Sequence, residues 1–181
     1  MNDNNQRFSF KITVIGDGRV GKTSLIKKFT TKSFKKEYIK TIGAEISVFD
    51  KKIEKDKVRL FFWDIAGQDD FHFLHQSFFK NSKATIIVYS LEENELGKES
   101  FKHIQDWNRD VQKYCGEIPV VLFANKVDLI DEQSLDVVHI NKIVEENNFQ
   151  DYFITSALTG QGVIDAFNSL IDLLYEKYKD V

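Results

Sequence analysis

A run of glycines followed by a lysine and a threonine is the segment whose spacing points most directly to chemistry. Residues 16–23 read GDGRVGKT, which fits the pattern G-x-x-x-x-G-K-[ST]. About 0.005 matches are expected by chance in a chain of this composition. Glycines let the backbone curl so that successive N–H groups point inward around an anion. The sequence therefore predicts a phosphate-binding loop.

The side chains at the end of this loop suit a nucleotide with Mg²⁺. Lys22 supplies a mobile cation for β- and γ-phosphates, and the hydroxyl of Thr23 can ligate Mg²⁺. A helix that begins here would add its positive N-terminal end. The predicted phosphate-binding residues are Gly18, Arg19, Val20, Gly21, Lys22, Thr23 and Ser24.

A second segment, residues 64–68 (DIAGQ), is informative because it directly follows a predicted strand. The pattern DxxG alone is weak, because about 0.8 chance matches are expected. A carboxylate at this position, Asp64, can hold Mg²⁺ through a bound water. The amide of Gly67 is free of a side chain and can bond a γ-phosphate, and the amide of Gln68 can orient an attacking water.

A third segment, residues 125–128 (NKVD), has the residue types that distinguish guanine from adenine. The carboxylate of Asp128 can accept hydrogen bonds from guanine N1–H and the exocyclic amine, whereas adenine N1 is an acceptor and leaves it unpaired. The stem of Lys126 can lie against the purine, and Asn125 can link this segment to the phosphate loop. The main-chain amides of Ser156, Ala157 and Leu158, which follow a later strand, can reach the purine O6.

The elements that would position these segments alternate between strands and helices. Apolar and β-branched runs predict strands over 8–15, 45–50, 57–63, 84–91, 119–124 and 152–155. Apolar residues at helical spacing predict helices over 22–30, 101–114, 135–144 and 163–174. The segment between the second and third strands is too short for a helical crossover, so these two strands should be antiparallel.

This alternation predicts an α/β fold with three layers. The sheet is expected to have six strands, mostly parallel, with one antiparallel edge strand and helices on both faces. Ligands of such sheets bind beyond the carboxyl ends of the strands. All four segments follow predicted strands, which is where that rule places a binding site.

Composition bounds the remaining possibilities. The chain has 181 residues and one cysteine, which excludes a disulfide framework and favours a reducing compartment, the cytoplasm. The net charge of −3 argues against nucleic-acid binding. We find neither a secretory signal nor a prenylation box, so membrane attachment would require a tail beyond this sequence. Residues 1–7 are expected to be a disordered lead-in and 8–181 one domain, which acts as a monomer.

With these segments in order, the chain resembles a Ras-superfamily small GTPase, and its G domain would cover nearly all of the chain. Residues 38–45 (YIKTIGAE) and 63–68 (WDIAGQ), followed by Phe71 and the pair Phe78–Phe79, are similar to the switch regions of the Rab branch. The resemblance implies a GTP/GDP switch with bound Mg²⁺, slow GTP hydrolysis and a role in trafficking or signalling. It also implies an exchange factor, a GTPase-activating protein and effectors that bind residues 34–45 and 67–79.

The resemblance assigns roles to residues that spacing alone does not single out. Thr41 would ligate Mg²⁺ and sense the γ-phosphate, Phe34 would pack against the guanine, and Tyr38 would close over the phosphates. Gln68 would position the hydrolytic water, with Lys22 and Thr41 as the other catalytic residues. The chain departs from the family pattern at Leu158, Arg19 and residues 69–70, and at Ile46, where an aromatic residue usually reads effectors with Trp63 and Phe78.

Three other classes of protein remain open. A phosphate-loop nucleotide kinase would need a lid, which is usually rich in arginine, but the four arginines (Arg7, Arg19, Arg59 and Arg109) form no cluster. A catalytically silent nucleotide-binding scaffold would not need Lys22, Thr23, Thr41 and Gln68. A purely structural domain would have to explain four motifs after four strands. Displacement of bound GDP by ATP would favour the kinase. A γ-phosphate release assay distinguishes a GTPase from a silent scaffold.

Overall fold

The computed structural model describes residues 6–30, 35–39, 44–65 and 75–180, and for residues 35–39, 44, 75 and 76 the backbone alone. Its strands are β1 (Arg7–Ile15), β2 (Lys35–Ile39), β3 (Ala44–Ile53), β4 (Asp56–Ile65), β5 (Ala84–Ser90), β6 (Val120–Asn125) and β7 (Asp151–Thr155). Its helices are α1 (Lys22–Thr30), α2 (His75–Phe79), α3 (Glu95–Lys102), α4 (Ile104–Cys115), α5 (Val137–Glu146) and α6 (Val163–Tyr178).

The strands form one sheet in the order β2-β3-β4-β1-β5-β6-β7. Strand β3 pairs antiparallel with both β2 and β4, and the other pairs are parallel, which confirms the predicted mixed sheet. The prediction of six strands was wrong, because β2 adds a seventh at the edge and leaves the antiparallel strand one position inward. The sequence of β2, KKEYI, is mostly charged, which is common on edge strands and conceals them from an apolar pattern.

Helices cover both faces of the sheet, as the three-layer prediction requires. Side chains of the central strand β5 alternate between the faces: Ile86 and Val88 pack in a cluster with α1 and α6, whereas Ile87 and Tyr89 pack in a cluster with α2, α4 and α5. Every residue of β5 and β6 is buried. This burial on both sides explains why these strands read as continuous apolar runs.

The helix predicted over 101–114 is two helices in the structure. Helix α3 begins after Asn94, whose side chain caps it by accepting a hydrogen bond from the Gly97 amide at 3.1 Å. It ends at Lys102, and His103 separates it from α4. The first turns of α3 are polar and carry no apolar period, so the sequence signal began only at Phe101.

Aromatic side chains form the centre of the core beneath α1 and α6. The ring of Phe167 stacks on Phe29 at a centroid distance of 4.5 Å and meets the edges of Phe62 and Phe123 at 5.2 and 5.3 Å. All four rings are buried, and Phe167 is 1% exposed. This cluster joins α1, α6, β4 and β6, so it fixes α1, the helix that follows the phosphate loop.

We expect Phe167→Ala to lower the free energy of unfolding by about 3–5 kcal/mol, because the cavity would open between four packed elements. Urea-induced unfolding measures this change. Ile164→Ala is the matched control in the same helix, since its side chain is 49% exposed. Its effect should stay below about 1 kcal/mol. Equal losses in the two variants would contradict the assignment of Phe167 to the core.

Candidate nucleotide-binding site

The four predicted segments meet at one edge of the sheet. Strand β1 ends immediately before Gly16, Asp64 is the penultimate residue of β4, Asn125 ends β6, and Ser156 follows β7. Because these strands are parallel, their carboxyl ends lie at the same edge. Asp64 lies within its strand rather than after it, since β4 extends two residues further at its carboxyl end than the sequence predicts.

The curl of the loop after β1 requires glycine at two positions. Gly16 has φ of 136°, and a Cβ there would lie 2.1 Å from the carbonyl oxygen of Val88 on β5. Gly21 has φ of 103°, and a Cβ there would lie 2.3 Å from Nδ2 of Asn125. Side chains are excluded by backbone at Gly16 and by a buried amide at Gly21. Between them Arg19 adopts a left-handed conformation with φ of 66°.

The ammonium group of Lys22 lies across this loop. Its Nζ donates hydrogen bonds to the carbonyl oxygens of Gly16 and Asp17, each at 2.7 Å. The residue is 6% exposed. Burial lowers the pKa of Lys22 to about 8, and the carboxylates of Asp64 and Asp17 oppose that shift. A buried cation whose hydrogen bonds within the described residues go to carbonyl oxygens is well suited to bind an incoming anion.

Thr23 and Asp64 place two oxygen ligands side by side. The Thr23 hydroxyl donates a hydrogen bond to Oδ2 of Asp64. Asp64 is 8% exposed, and its burial raises the pKa of the carboxyl, while the Thr23 hydrogen bond and the charge of Lys22 act in the opposite direction. A divalent cation between these oxygens would favour the ionised carboxylate. Hydroxyl and carboxylate oxygens are ligands that Mg²⁺ prefers.

Asn125 joins the segments after β1, β6 and β7. Its Nδ2 donates to the carbonyl oxygen of Val20 at 2.8 Å, which is the predicted link to the phosphate loop. Its Oδ1 accepts from the main-chain amide of Ala157 at 3.1 Å and from the Thr155 hydroxyl at 3.3 Å. The residue is 1% exposed. One amide side chain thus holds three loops in register.

The residues predicted to read the purine stand beside this hub. The carboxylate of Asp128 accepts a hydrogen bond from the Ser156 hydroxyl, which connects the segments after β6 and β7. Lys126 has a left-handed backbone with φ of 72°, and its Nζ donates to a carboxylate oxygen of Glu92. Leu158 is 76% exposed, and its carbonyl oxygen accepts a hydrogen bond from Nζ of Lys28 at 3.1 Å.

Two contacts to these segments come from residues that the sequence reasoning missed. Glu92, just after β5, binds Lys126, and this partner together with Ser90 and Asn94 holds the pKa of its carboxyl below the usual range. The carboxylate of Asp17 accepts from His103 and Trp107 at the α3–α4 junction. No motif links them, but His103 and Trp107 are four residues apart, a helical spacing that could have indicated a shared face.

Several predicted site residues fall outside the described residues: Phe34, Thr41, Gly67 and Gln68. Tyr38 lies in β2, where the backbone alone is described. Of the effector-reading positions, Ile46 and Phe78 are buried, at 5% and 1% exposure, whereas Trp63 is partly exposed beneath Nζ of Lys11, which lies 3.8 Å from the ring centroid.

Known proteins are similar to this chain over most of its length. The model of the Ras family matches residues 11–176. The chain belongs to the Ras family. It is 32% identical over 172 residues to the Ras-related protein Rab-1 of Theileria annulata, which covers 94% of this chain and 76% of the relative. It is also 32% identical over 177 residues to the Ras-related protein Rab-32C of Dictyostelium discoideum, covering 96% and 77%.

As a Rab-like member of this family, the chain is a small GTP-binding switch protein of membrane trafficking that hydrolyses GTP. Ras-family proteins bind GTP and GDP and interact with regulators and effectors. No helix in the described part of the chain is both long and apolar enough to span a bilayer.

Proposed function

We propose that the edge formed by β1, β4, β6 and β7 binds GTP and GDP together with Mg²⁺, and that the chain alternates between two states as the γ-phosphate is hydrolysed. The observation that supports this most directly is the network through Asn125, which joins the phosphate loop to the segment that carries Asp128. A phosphate-binding loop and a purine-reading carboxylate then act on one ligand.

The phosphate half of the site uses the loop amides and Lys22. Main-chain N–H groups between Gly18 and Ser24 would surround the phosphates, and the N-terminus of α1 would add its partial positive charge. Lys22 would exchange its two carbonyl acceptors for phosphate oxygens. This exchange needs little rearrangement, because Nζ already lies over the loop at 2.7 Å from both carbonyl oxygens.

The guanine half of the site uses Asp128 for recognition and its neighbours for support. The carboxylate would accept two hydrogen bonds from guanine, while the Ser156 hydroxyl fixes one of its oxygens. The stem of Lys126 would cover one face of the purine, and Phe34 would pack on its edge. The amides of Ser156, Ala157 and Leu158 would donate to the purine O6.

The residues present fit a Mg²⁺ ion. Thr23 and Asp64 supply adjacent oxygens, and Thr41 would supply a third from the first switch. Within the described residues no group of three or more His, Cys, Asp or Glu side chains could hold a metal ion, so the ion would depend on phosphate oxygens and water for its remaining ligands. When bound, the ion would supply positive charge that neutralises the phosphates.

Hydrolysis is proposed to be slow in the isolated protein. Gln68 would orient the water, Thr41 and Lys22 would stabilise the transferred group, and an arginine of a partner protein would add about 10³–10⁵ in rate. Arg19, within the phosphate loop, is the candidate arginine from this chain. We infer that it does not supply the positive charge that stabilises the transition state. The two switches, residues 34–45 and 67–79, would carry the state of the nucleotide to an exchange factor, a GTPase-activating protein and effectors.

A single-turnover assay tests the proposed function. We expect protein loaded with GTP in the presence of EDTA to release phosphate only after Mg²⁺ is added, on a timescale of minutes to hours. ATP should not displace bound GDP. Arg19→Ala should leave the rate within about threefold of wild type. Rapid release that disappears in Arg19→Ala would contradict activation by a partner, and absence of guanine-nucleotide binding would contradict the function.

The remaining proposals concern the protein as a whole. We infer that residues 8–181 form one G domain, which acts as a monomer, and that residues 1–7 precede it. The cytoplasm is the compartment that the single cysteine favours. Ile46 in place of an aromatic residue would give this chain effectors different from those of its relatives.

A further inference from the structure

The carboxylate of Asp17 lies within the phosphate loop and is held from outside it. Its Oδ2 is 2.7 Å from Nδ1 of His103, and its Oδ1 accepts a hydrogen bond from Nε1 of Trp107 at 2.8 Å. The Asp17 side chain is 19% exposed and that of His103 is 43% exposed. Each oxygen of this largely buried carboxylate is therefore hydrogen-bonded to a different side chain.

The two partners of Asp17 lie on one helical path at the start of α4. His103 has helical dihedral angles (φ −76°, ψ −5°), and its carbonyl oxygen accepts from the amide of Trp107 at 3.0 Å. The helical path thus continues through His103 into α4. Residues four apart lie on one face of a helix, so the imidazole and the indole point at the loop together.

The charge of Asp17 explains why such partners matter. A carboxylate beside a polyphosphate would repel it, and the contact with His103 and Trp107 turns the carboxylate toward donors instead. The hydrogen bond that His103 donates to Asp17 raises the pKa of His103, against the effect of burial, and the carboxylates of Glu99 and Asp106 raise it further. Lys102, the adjacent cation, is paired with Glu99.

The position of Asp17 also determines where Lys22 can lie. The main-chain carbonyl of Asp17 is one of the two acceptors of Lys22 Nζ, at 2.7 Å. A displacement of Asp17 would therefore move the neighbouring loop amides, and it would also move an acceptor that holds the lysine before phosphate replaces it. The loop is otherwise held by the close packing of Gly16 on β5 and by Asn125.

We propose that His103 and Trp107 are positioning residues, which hold the phosphate loop in its nucleotide-binding form through the carboxylate of Asp17. This inference rests on the proposed function, since it assumes that the loop binds the phosphates of GDP. It makes the α3–α4 junction, on the helical layer beside the sheet, a determinant of nucleotide release.

The experiment is a double-mutant cycle read out by the dissociation rate of a fluorescent GDP analogue from the full chain. His103→Leu and Trp107→Phe should each raise the rate by about tenfold, the effect of losing one hydrogen bond to a charged group. His103→Asn retains a donor near the position of Nδ1 and should restore the rate to within about twofold of wild type. Lys142→Leu is the control, because that side chain is 67% exposed on α5 and its described ion pair is with Glu146.

The cycle is completed in Asp17→Ala protein. There the dissociation rate is already raised, and His103→Leu should add less than about twofold, because its effect passes through the missing carboxylate. An unchanged rate for both His103→Leu and Trp107→Phe overturns the inference, as does an equal effect of His103→Leu with and without Asp17. Trp107→Phe keeps the ring packing, and thermal unfolding of each variant identifies losses of fold.

Different results would contradict the positioning role and the proposed function. If wild-type protein binds GDP tightly but His103→Leu and Trp107→Phe leave the dissociation rate unchanged, only the role of His103 and Trp107 is contradicted. Wild-type protein without affinity for guanine nucleotides contradicts the proposed function, and the positioning role falls with it.

Discussion

Lys22→Ala is expected to weaken GDP binding by about two to three orders of magnitude, because it removes a buried cation that pairs with phosphate in a site of low exposure. The lysine is 6% exposed and lies over the loop at hydrogen-bonding distance from two carbonyl oxygens. Without it, the negative charge of the nucleotide would face the carboxylates of Asp64 and Asp17 with less compensation. Isothermal titration with GDP measures the loss.

Lys142→Ala is the matched control, since that lysine lies on α5 with a side chain 67% exposed and pairs with Glu146 at 3.7 Å. It should bind GDP within about twofold of wild type. If Lys22→Ala also bound GDP within threefold or so of wild type, the loop would not be the phosphate site.

The same lysine predicts a dependence of affinity on pH. Burial lowers the pKa of Lys22 to about 8. Above that pH, the Lys22 amine is therefore neutral in most molecules of protein that has been stripped of nucleotide. A bound phosphate favours the charged form and raises the pKa, so binding takes up a proton there. The affinity of wild type for GDP should therefore fall as pH rises above about 8, and Lys22→Ala should lack this contribution.

Asp128→Ala is expected to abolish the preference for guanine. GDP affinity should fall by at least about a hundredfold, because two hydrogen bonds to a charged group are lost, while the weak binding of ADP should change little. Competition of GDP, ADP and inosine diphosphate against a fluorescent nucleotide measures the preference. Inosine diphosphate, which lacks the exocyclic amine, should lose less than GDP.

Two further variants sharpen this experiment. Asp128→Asn exchanges an acceptor for a donor, so a xanthine nucleotide, with a carbonyl in place of the amine, should gain affinity relative to GDP. Asp131→Ala is the control, because Asp131 lies three residues on and its side chain accepts only a local bond from the Gln133 amide at 3.0 Å among the contacts described. An unchanged preference in Asp128→Ala would place the purine elsewhere.

Most elements of the fold could be predicted from the sequence because their patterns are local. Helix α1 was predicted with its observed bounds, and β5 and β6 to within a residue at each end, since runs buried on both faces leave an unbroken apolar signal. Strand β2 could not be found in this way. It carries charged residues at the edge of the sheet, and its backbone pairing with β3 identifies it as a strand.

The candidate site likewise has parts that the sequence predicts and parts that it does not. The motifs of residues 16–23, 64–68 and 125–128 are contiguous, because loop curvature, an anion nest and a purine-reading carboxylate each need a few neighbouring residues of fixed type. Their hydrogen-bonding partners are scattered. Glu92 reaches Lys126 across 34 positions, and His103 reaches Asp17 across 86.

The sequence by itself predicted which chemistry we propose for the chain, a phosphate loop and a base-selecting carboxylate, and the alternation of strands and helices that brings the two segments to one edge. The tertiary structure alone decided what holds that chemistry in place, from the seventh strand to the side chains that bind Asp17 and Lys126. A short motif is written in consecutive residues. A contact between distant residues depends on how strands and helices pack, and a single sequence carries no local mark of it.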